Sequence, residues 1–110
     1  MDLLVRIDTT AVYRRPDGER KALTERERAR GRELHAGCLL RKAWSLPGRK
    51  ENVGIWSARD ADQRTEALQS FPIWPLITVE VTPLATHPLF AEMAREGQDG
   101  AGFDDVISTK

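Results

Sequence analysis

A glutamate on the inward stripe of a highly charged helix is the feature of this 110-residue chain that first points to chemistry. The run Glu19–Ala36 is rich in Glu, Arg, Ala and Leu, all good helix formers. Leu23, Gly31 and Leu34 fall at i, i+8 and i+11 on one face, and Glu27 sits at i+4 of that stripe. Burial beside Leu23 and Leu34 would raise its pKa toward neutrality, where one carboxyl group can both take and return a proton. The same side chain could instead pair with Arg30 or Arg6, or face water.

Other side chains are candidates of a second rank. Asn52 follows a turn and could donate its amide N–H to a ligand, or bond the nearby backbone as turn asparagines often do. Lys50 and Arg41 could bind an anionic substrate group, or serve as solvated surface cations. Trp44, Trp56 and Trp74 could wall an apolar pocket or pack in the core or a subunit interface. His87 sits just after the last expected strand, within reach of a site there or simply structural. Cys38 is the single cysteine, so no internal disulfide forms; it could be a nucleophile with His35 as base, but is expected to be a small buried hydrophobe. The two histidines lack metal-ligand spacing with each other or with a carboxylate pair, so no metal site is expected.

These residues need a frame. Leu3–Asp8 alternates like a half-buried strand, and Arg14–Gly18 is a turn. After the charged helix, Gly37 suits the left-handed residue that ends it. Cys38–Leu46 and Asn52–Ser57 read as a hairpin around the turn at Pro47–Glu51. Asp60 opens a second helix with Gln63 three residues on, as in a capping box, and this helix ends near Ser70. Phe71–Pro75 is a rigid loop, and Leu76–Val81 is the fourth strand. The order β-α-β-β-α-β is the ferredoxin-like α+β pattern: a four-stranded antiparallel sheet with two helices on one face. The bare face needs a cover. Pairing two sheets gives a dimeric α+β barrel in which strand ends and the first helix line a cleft.

The boundaries expected are a domain over 1–88 and a C-terminal extension over 89–110, with a short helix at Leu89–Glu96 and a flexible tail. Charge is balanced, 17 basic residues against 17 acidic, so no global field draws nucleic acid or an anionic membrane. The apolar stretch Phe71–Leu84 is broken by Pro72, Pro75 and Pro83 and cannot be a membrane span. The N-terminus reads as a strand rather than a signal peptide, and a cytoplasmic location fits.

Three segments carry a family resemblance. Trp44-Ser-Leu-Pro-Gly48-Arg-Lys-Glu-Asn52-Val-Gly-Ile-Trp56 resembles the W-x-x-x-G-x-x-x-N hairpin of muconolactone Δ-isomerases. Leu68-Gln-Ser-Phe-Pro-Ile-Trp-Pro-Leu is similar to their L-P-L-F-P-Y type segment, and Thr78-Val-Glu-Val-Thr-Pro-Leu-Ala-Thr-His87-Pro88 to their V-E-V-x-x-L-x-x-H-P ending. The resemblance implies the fold reached above, paired as dimers and commonly as a ring of five dimers. It implies cofactor-independent isomerisation of muconolactone to 3-oxoadipate enol-lactone in aromatic catabolism. Glu27 then matches the proton-transfer carboxylate, and Asn52 the polar hairpin residue that would donate to the lactone oxygen. Lys50 stands where Tyr or Arg is expected, and the chain past Pro88 is longer than the usual tail. A secondary-metabolite isomerase or cyclase of this fold, and a non-catalytic oligomeric binding module, are the competing readings.

Overall fold

The computed structural model describes residues 1–97, in the order β1 (Asp2–Asp8), α1 (Thr10–Tyr13), α2 (Asp17–Ala36), β2 (Leu40–Ser45), β3 (Glu51–Ser57), α3 (Ala61–Gln69), a 3-10 turn (Trp74–Leu76), β4 (Thr78–Leu84) and α4 (Pro88–Gly97). The tail expected beyond α4 lies outside the described residues. The four strands form one antiparallel sheet in the order β2-β3-β1-β4. This is the split βαβ arrangement expected from the element order.

Alternation along β1 decides which face is which. Leu3, Val5 and Ile7 are buried, while Leu4, Arg6 and Asp8 between them are only half-buried. In register with the buried set stand Trp56, Gly54 and Asn52 on β3 and Val81 and Val79 on β4. Leu34 of α2, Ala67 and Leu68 of α3, and Phe71 and Ile73 of the following loop close the core over this face. Trp56 and Phe71 meet edge to face with ring centroids 5.8 Å apart, a favoured aromatic geometry. The opposite face carries Leu4, Val53 and Ile55, all half-buried, and has no cover among the described residues. No helix there is long and apolar enough to cross a membrane.

The local signals decide the element ends, with some shifts. Asp60 caps α3 by accepting the Gln63 N–H at 2.8 Å, and Gln63 Oε1 accepts the N–H of Arg59 at 2.6 Å. The expected capping box is therefore present, with its return bond displaced one residue upstream. The turn at Leu46–Arg49 closes by the Arg49 N–H to the Leu46 carbonyl at 3.1 Å, with Gly48 at φ 78. Pro at the second position and a left-handed Gly at the third match a type II turn.

Several expectations need correction. The segment expected as a turn over Arg14–Gly18 is preceded by an extra helical turn, α1, and α2 starts earlier, at Asp17. Pro16 halts the chain before α2, while Asp17 and Glu19 suit its positive N-terminal end. Gly37 does not take the left-handed conformation at the end of α2: its φ is −82, and Cys38 adopts φ 65 instead. The Leu39 N–H reaches the Leu34 carbonyl and the Cys38 N–H the His35 carbonyl, both at 3.0 Å. That pair of bonds is a Schellman closure, and it requires the residue after Gly37 to be the left-handed one. Cys38 is accordingly exposed rather than buried, and β2 begins only at Leu40. Leu76 belongs to the 3-10 turn around Pro75, so β4 starts at Thr78 and runs on to Leu84. It accommodates Pro83 because β4 is an edge strand.

Candidate active site

Between α2, the helix-covered face of the sheet and the loop after α3 lies a cavity of about 400 Å³. Its floor comes from inward positions of the three adjoining strands: Ile7, Asn52, Gly54 and Trp56, with Ala43 and Ser45 of β2 paired against Gly54 and Asn52. Phe71, Ile73 and Ile77 form the far wall, and Glu27, Arg28 and Gly31 of α2 form the roof. The lining is mostly apolar, with few polar groups, as small-molecule sites tend to be.

Glu27 is the polar group that packing has treated most severely. Both carboxylate oxygens are shielded from solvent and make no hydrogen bond. Desolvation raises the pKa and the nearby Ile73 backbone offsets part of that rise without closing a hydrogen bond of proper geometry, the net shift being from 4.5 to about 7. Neither of the cations weighed as its partner, Arg6 or Arg30, pairs with it. Arg6 Nε donates to Glu51 Oε1 at 2.7 Å, and Arg30 donates to Ser70 Oγ at 2.8 Å and to Glu33 at 3.0 Å. An unpaired, desolvated carboxyl group poised near neutral pH is suited to proton transfer.

Asn52 stands on the floor in register with Ile7 and Ser45. Its side-chain amide makes no hydrogen bond among the described residues, so it does not serve the turn backbone. Gly54 beside it suits a close approach: a Cβ there would lie 3.0 Å from the Lys42 carbonyl oxygen, a tight contact. Gly31 in the roof is the reverse case, since a Cβ would meet nothing within 4 Å. A glycine inside a helix costs about 1 kcal/mol relative to Ala; here it leaves the space over the cavity open.

The structure gathers four of the eight sequence candidates around this cavity: Glu27, Asn52, Trp44 and Trp56. Trp56 is buried in the floor. Trp44 contributes from the sheet edge, but its register opposite Val53 belongs to the other face, where Lys42 Nζ stands 5.2 Å over its ring. The other four lie outside the lining. Lys50 Nζ sits 5.4 Å over the Tyr13 ring, and the Lys50 carbonyl accepts from the Thr9 N–H and hydroxyl. Arg41 is exposed at the bulge in β2. Trp74 packs half-buried on the core from the 3-10 turn. His87 accepts the Leu89 N–H at 3.0 Å and touches Phe90 edge-on, so it organises the start of α4. His35 Nδ1–H donates to the Leu40 carbonyl at 2.8 Å, away from Cys38.

Two polar lining residues escaped the sequence reading, Arg28 and Ser45. Arg28 was legible in principle: it is the i+1 neighbour of Glu27 and lies three residues before Gly31, so it borders the same stripe. Ser45 was not, because the bulge between Leu40 and Lys42 shifts the alternation of β2.

With this geometry in view, the comparisons with known proteins are specific. The sequence model of the family described as "Muconolactone delta-isomerase" matches residues 1–89. Muconolactone Delta-isomerase of Cupriavidus pinatubonensis is 27% identical over 85 residues, covering 77% of this chain and 92% of that protein. The protein of the same name from Rhodococcus opacus is 30% identical over 62 residues, 56% of this chain and 67% of that one. A crystal structure of muconolactone isomerase superposes with a TM-score of 0.71 at 21% identity, over 80% of this chain and 92% of the other, which shows the shared fold. The chain belongs to the muconolactone delta-isomerase family, whose class of activity is intramolecular isomerisation.

Proposed function

We propose that this chain moves a double bond within a small unsaturated lactone, of the muconolactone to 3-oxoadipate enol-lactone type, with Glu27 as the proton carrier. The observation that carries the reading is the pair of shielded, unbonded Glu27 oxygens on the wall of a small, mostly apolar cavity. In such a lactone the ring C–H next to the ring oxygen is conjugated through the double bond to the carbonyl. The Glu27 carboxylate takes that proton, and the C–H electron pair delocalises into a dienolate with its charge on the carbonyl oxygen. The Asn52 amide N–H stabilises that oxyanion by hydrogen bonding. Protonated Glu27 then returns the proton to the carbon beside the carbonyl, and the double bond ends one position further along the ring. The base is regenerated, and nothing is oxidised or reduced.

A pKa near 7 suits both halves of the cycle, because the group must hold the proton briefly and release it readily. The walls of Ile7, Trp56, Phe71 and Ile73 exclude competing water and strengthen the hydrogen bond from Asn52.

We also infer that two copies pair through the uncovered sheet face, where Leu4, Val53 and Ile55 are half-buried and Trp44 is exposed. Such pairing would shelter the sheet edge from which Trp44 borders the cavity. Sedimentation should give at least a dimer, and Val53→Glu should dissociate it; a monomeric wild-type protein refutes the pairing.

The test of the reaction is direct. Purified protein should change the ultraviolet absorbance of muconolactone as the conjugated double bond moves. Glu27→Gln should lower kcat by roughly 10²- to 10⁴-fold, the contribution of general acid–base catalysis. Normal turnover by that variant removes Glu27 as the base.

A further inference from the structure

We propose that Arg28 is the anion anchor of the cavity, binding a carboxylate arm on the substrate and so selecting acidic over neutral lactones; the proposal rests on the isomerase reading above.

Among the described residues that line the cavity, Arg28 is the only cation. Lys50 and Arg41, the cations expected from sequence to meet a substrate carboxylate, do not reach the lining. Arg28 makes no hydrogen bond or ion pair among the described residues, whereas Arg6 and Arg30 are both committed to carboxylates. Its position is also favourable. Arg28 and Gly31 are i and i+3 on α2, hence neighbours on the helix surface. The absent side chain at Gly31 leaves open space beside the Arg28 stem. Arg28 is exposed and therefore stands at the mouth, while the shielded Glu27 oxygens lie deeper. A ring entering this cavity would lie against Glu27 and Asn52, with a short acidic arm trailing toward Arg28. The planar guanidinium fork matches both oxygens of a carboxylate.

No hydrogen bond or ion pair joins Arg28 to Glu27 among the described residues. A guanidinium paired with Glu27 would hold it ionised and pull its pKa down. The influences acting on Glu27 are burial and the Ile73 backbone, and no cation is among them. Arg28 is therefore available to an incoming anion without weakening the base.

The experiment uses two unreactive probes: a saturated five-membered lactone bearing a carboxymethyl arm, and the methyl ester of that acid. Binding of each is measured by calorimetry on the wild-type protein and on Arg28→Gln and Arg28→Lys. Wild type should prefer the acid. Arg28→Gln should weaken acid binding by roughly 10- to 100-fold, the span of a charge-assisted hydrogen bond, and leave ester binding unchanged. Arg28→Lys should recover part of the loss. The variants should melt with wild type, since an exposed helix position is replaced. An acid preference retained in Arg28→Gln, or absent from wild type, overturns the proposal. Turnover of the unsaturated lactone by wild type is a separate readout: no turnover with the acid preference intact ends the isomerase reading and leaves Arg28 as an anchor.

Discussion

Replacing Glu27 by Gln should cut turnover by roughly 10²- to 10⁴-fold while making the protein more stable at pH 8, and the pH dependence of that gain is the sharpest check on the site. Glutamine has nearly the shape of a protonated carboxyl group but does not titrate. In the wild-type protein, burial raises the folded-state pKa from 4.5 to about 7. Below pH 4.5 the carboxyl group is neutral in both folded and unfolded chains, and it contributes no pH dependence. Between about 4.5 and 7 the unfolded chain loses its proton while the folded one keeps it, so stability falls as pH rises. Above about pH 8 the loss is complete. Taken at face value, the shift from 4.5 to about 7 corresponds to ~3.4 kcal/mol. The residue as a whole is only half-buried, and solvent screening reduces this to ~1.5–2 kcal/mol. For a domain of this size that is ~5–10 °C in Tm. The assay is thermal unfolding of both proteins at half-unit steps from pH 4.5 to 8.5. The difference in Tm should grow in favour of the variant across that window and level off above it. A difference that stays flat with pH would falsify the burial argument, because it means that the carboxylate is equally hydrated folded and unfolded.

Three further outcomes follow from the same geometry. The base acts as a carboxylate, so kcat/KM should rise with pH and level off above about 7; a profile flat from pH 5 to 9 contradicts the assignment. Asn52→Ala should lower kcat by ~10²- to 10³-fold, the cost of losing one oxyanion donor, with little change in KM; an effect on KM alone would make Asn52 a binding residue only. Gly31→Ala should raise stability by ~0.5–1 kcal/mol, since the added methyl meets nothing, whereas Gly31→Leu should fill the cavity and abolish ligand binding with the fold intact. Retained binding in Gly31→Leu would show that the ligand sits elsewhere.

Cys38→Gly tests the local backbone. A non-glycine residue in the left-handed region costs ~1–2 kcal/mol, and glycine returns part of that as unfolded-state entropy. The exposed Cys38 side chain makes little packing to lose. The substitution should therefore raise stability by up to ~1 kcal/mol in chemical denaturation; a clear loss would show that the thiol makes contacts its exposure does not suggest.

The element order was legible from residue pattern because each element is specified over short range. Alternation in Leu3–Ile7, helix formers through α2 and the Asp60–Gln63 cap all act within a few residues, so no tertiary information was needed. The placement of Glu27 with Leu23, Gly31 and Leu34 was legible for the same reason, since helical periodicity alone puts them on one stripe. Whether that stripe faced water or a cavity was not legible. The outcome depended on the sheet and the loop after α3 closing over α2, which shields the Glu27 oxygens, while Arg30 turns to Ser70 and Glu33.

Only the assembled sheet decided the rest. The β2 bulge set which of Ala43, Trp44 and Ser45 look toward the helices, and strand pairing brought Asn52 beside Ile7 on that side. The hairpin turn carried Lys50 away to Tyr13 and left Arg28 as the lining cation. The α2 terminus passed the left-handed residue from Gly37 to Cys38, because the two closing hydrogen bonds count from Leu34 and His35 rather than from glycine preference. Sequence by itself determined which residues share a face of one element. Tertiary structure determined which of those faces meet, because desolvation and charge pairing depend on atoms distant in the chain, and those two effects make Glu27 an unpaired group beside a cavity.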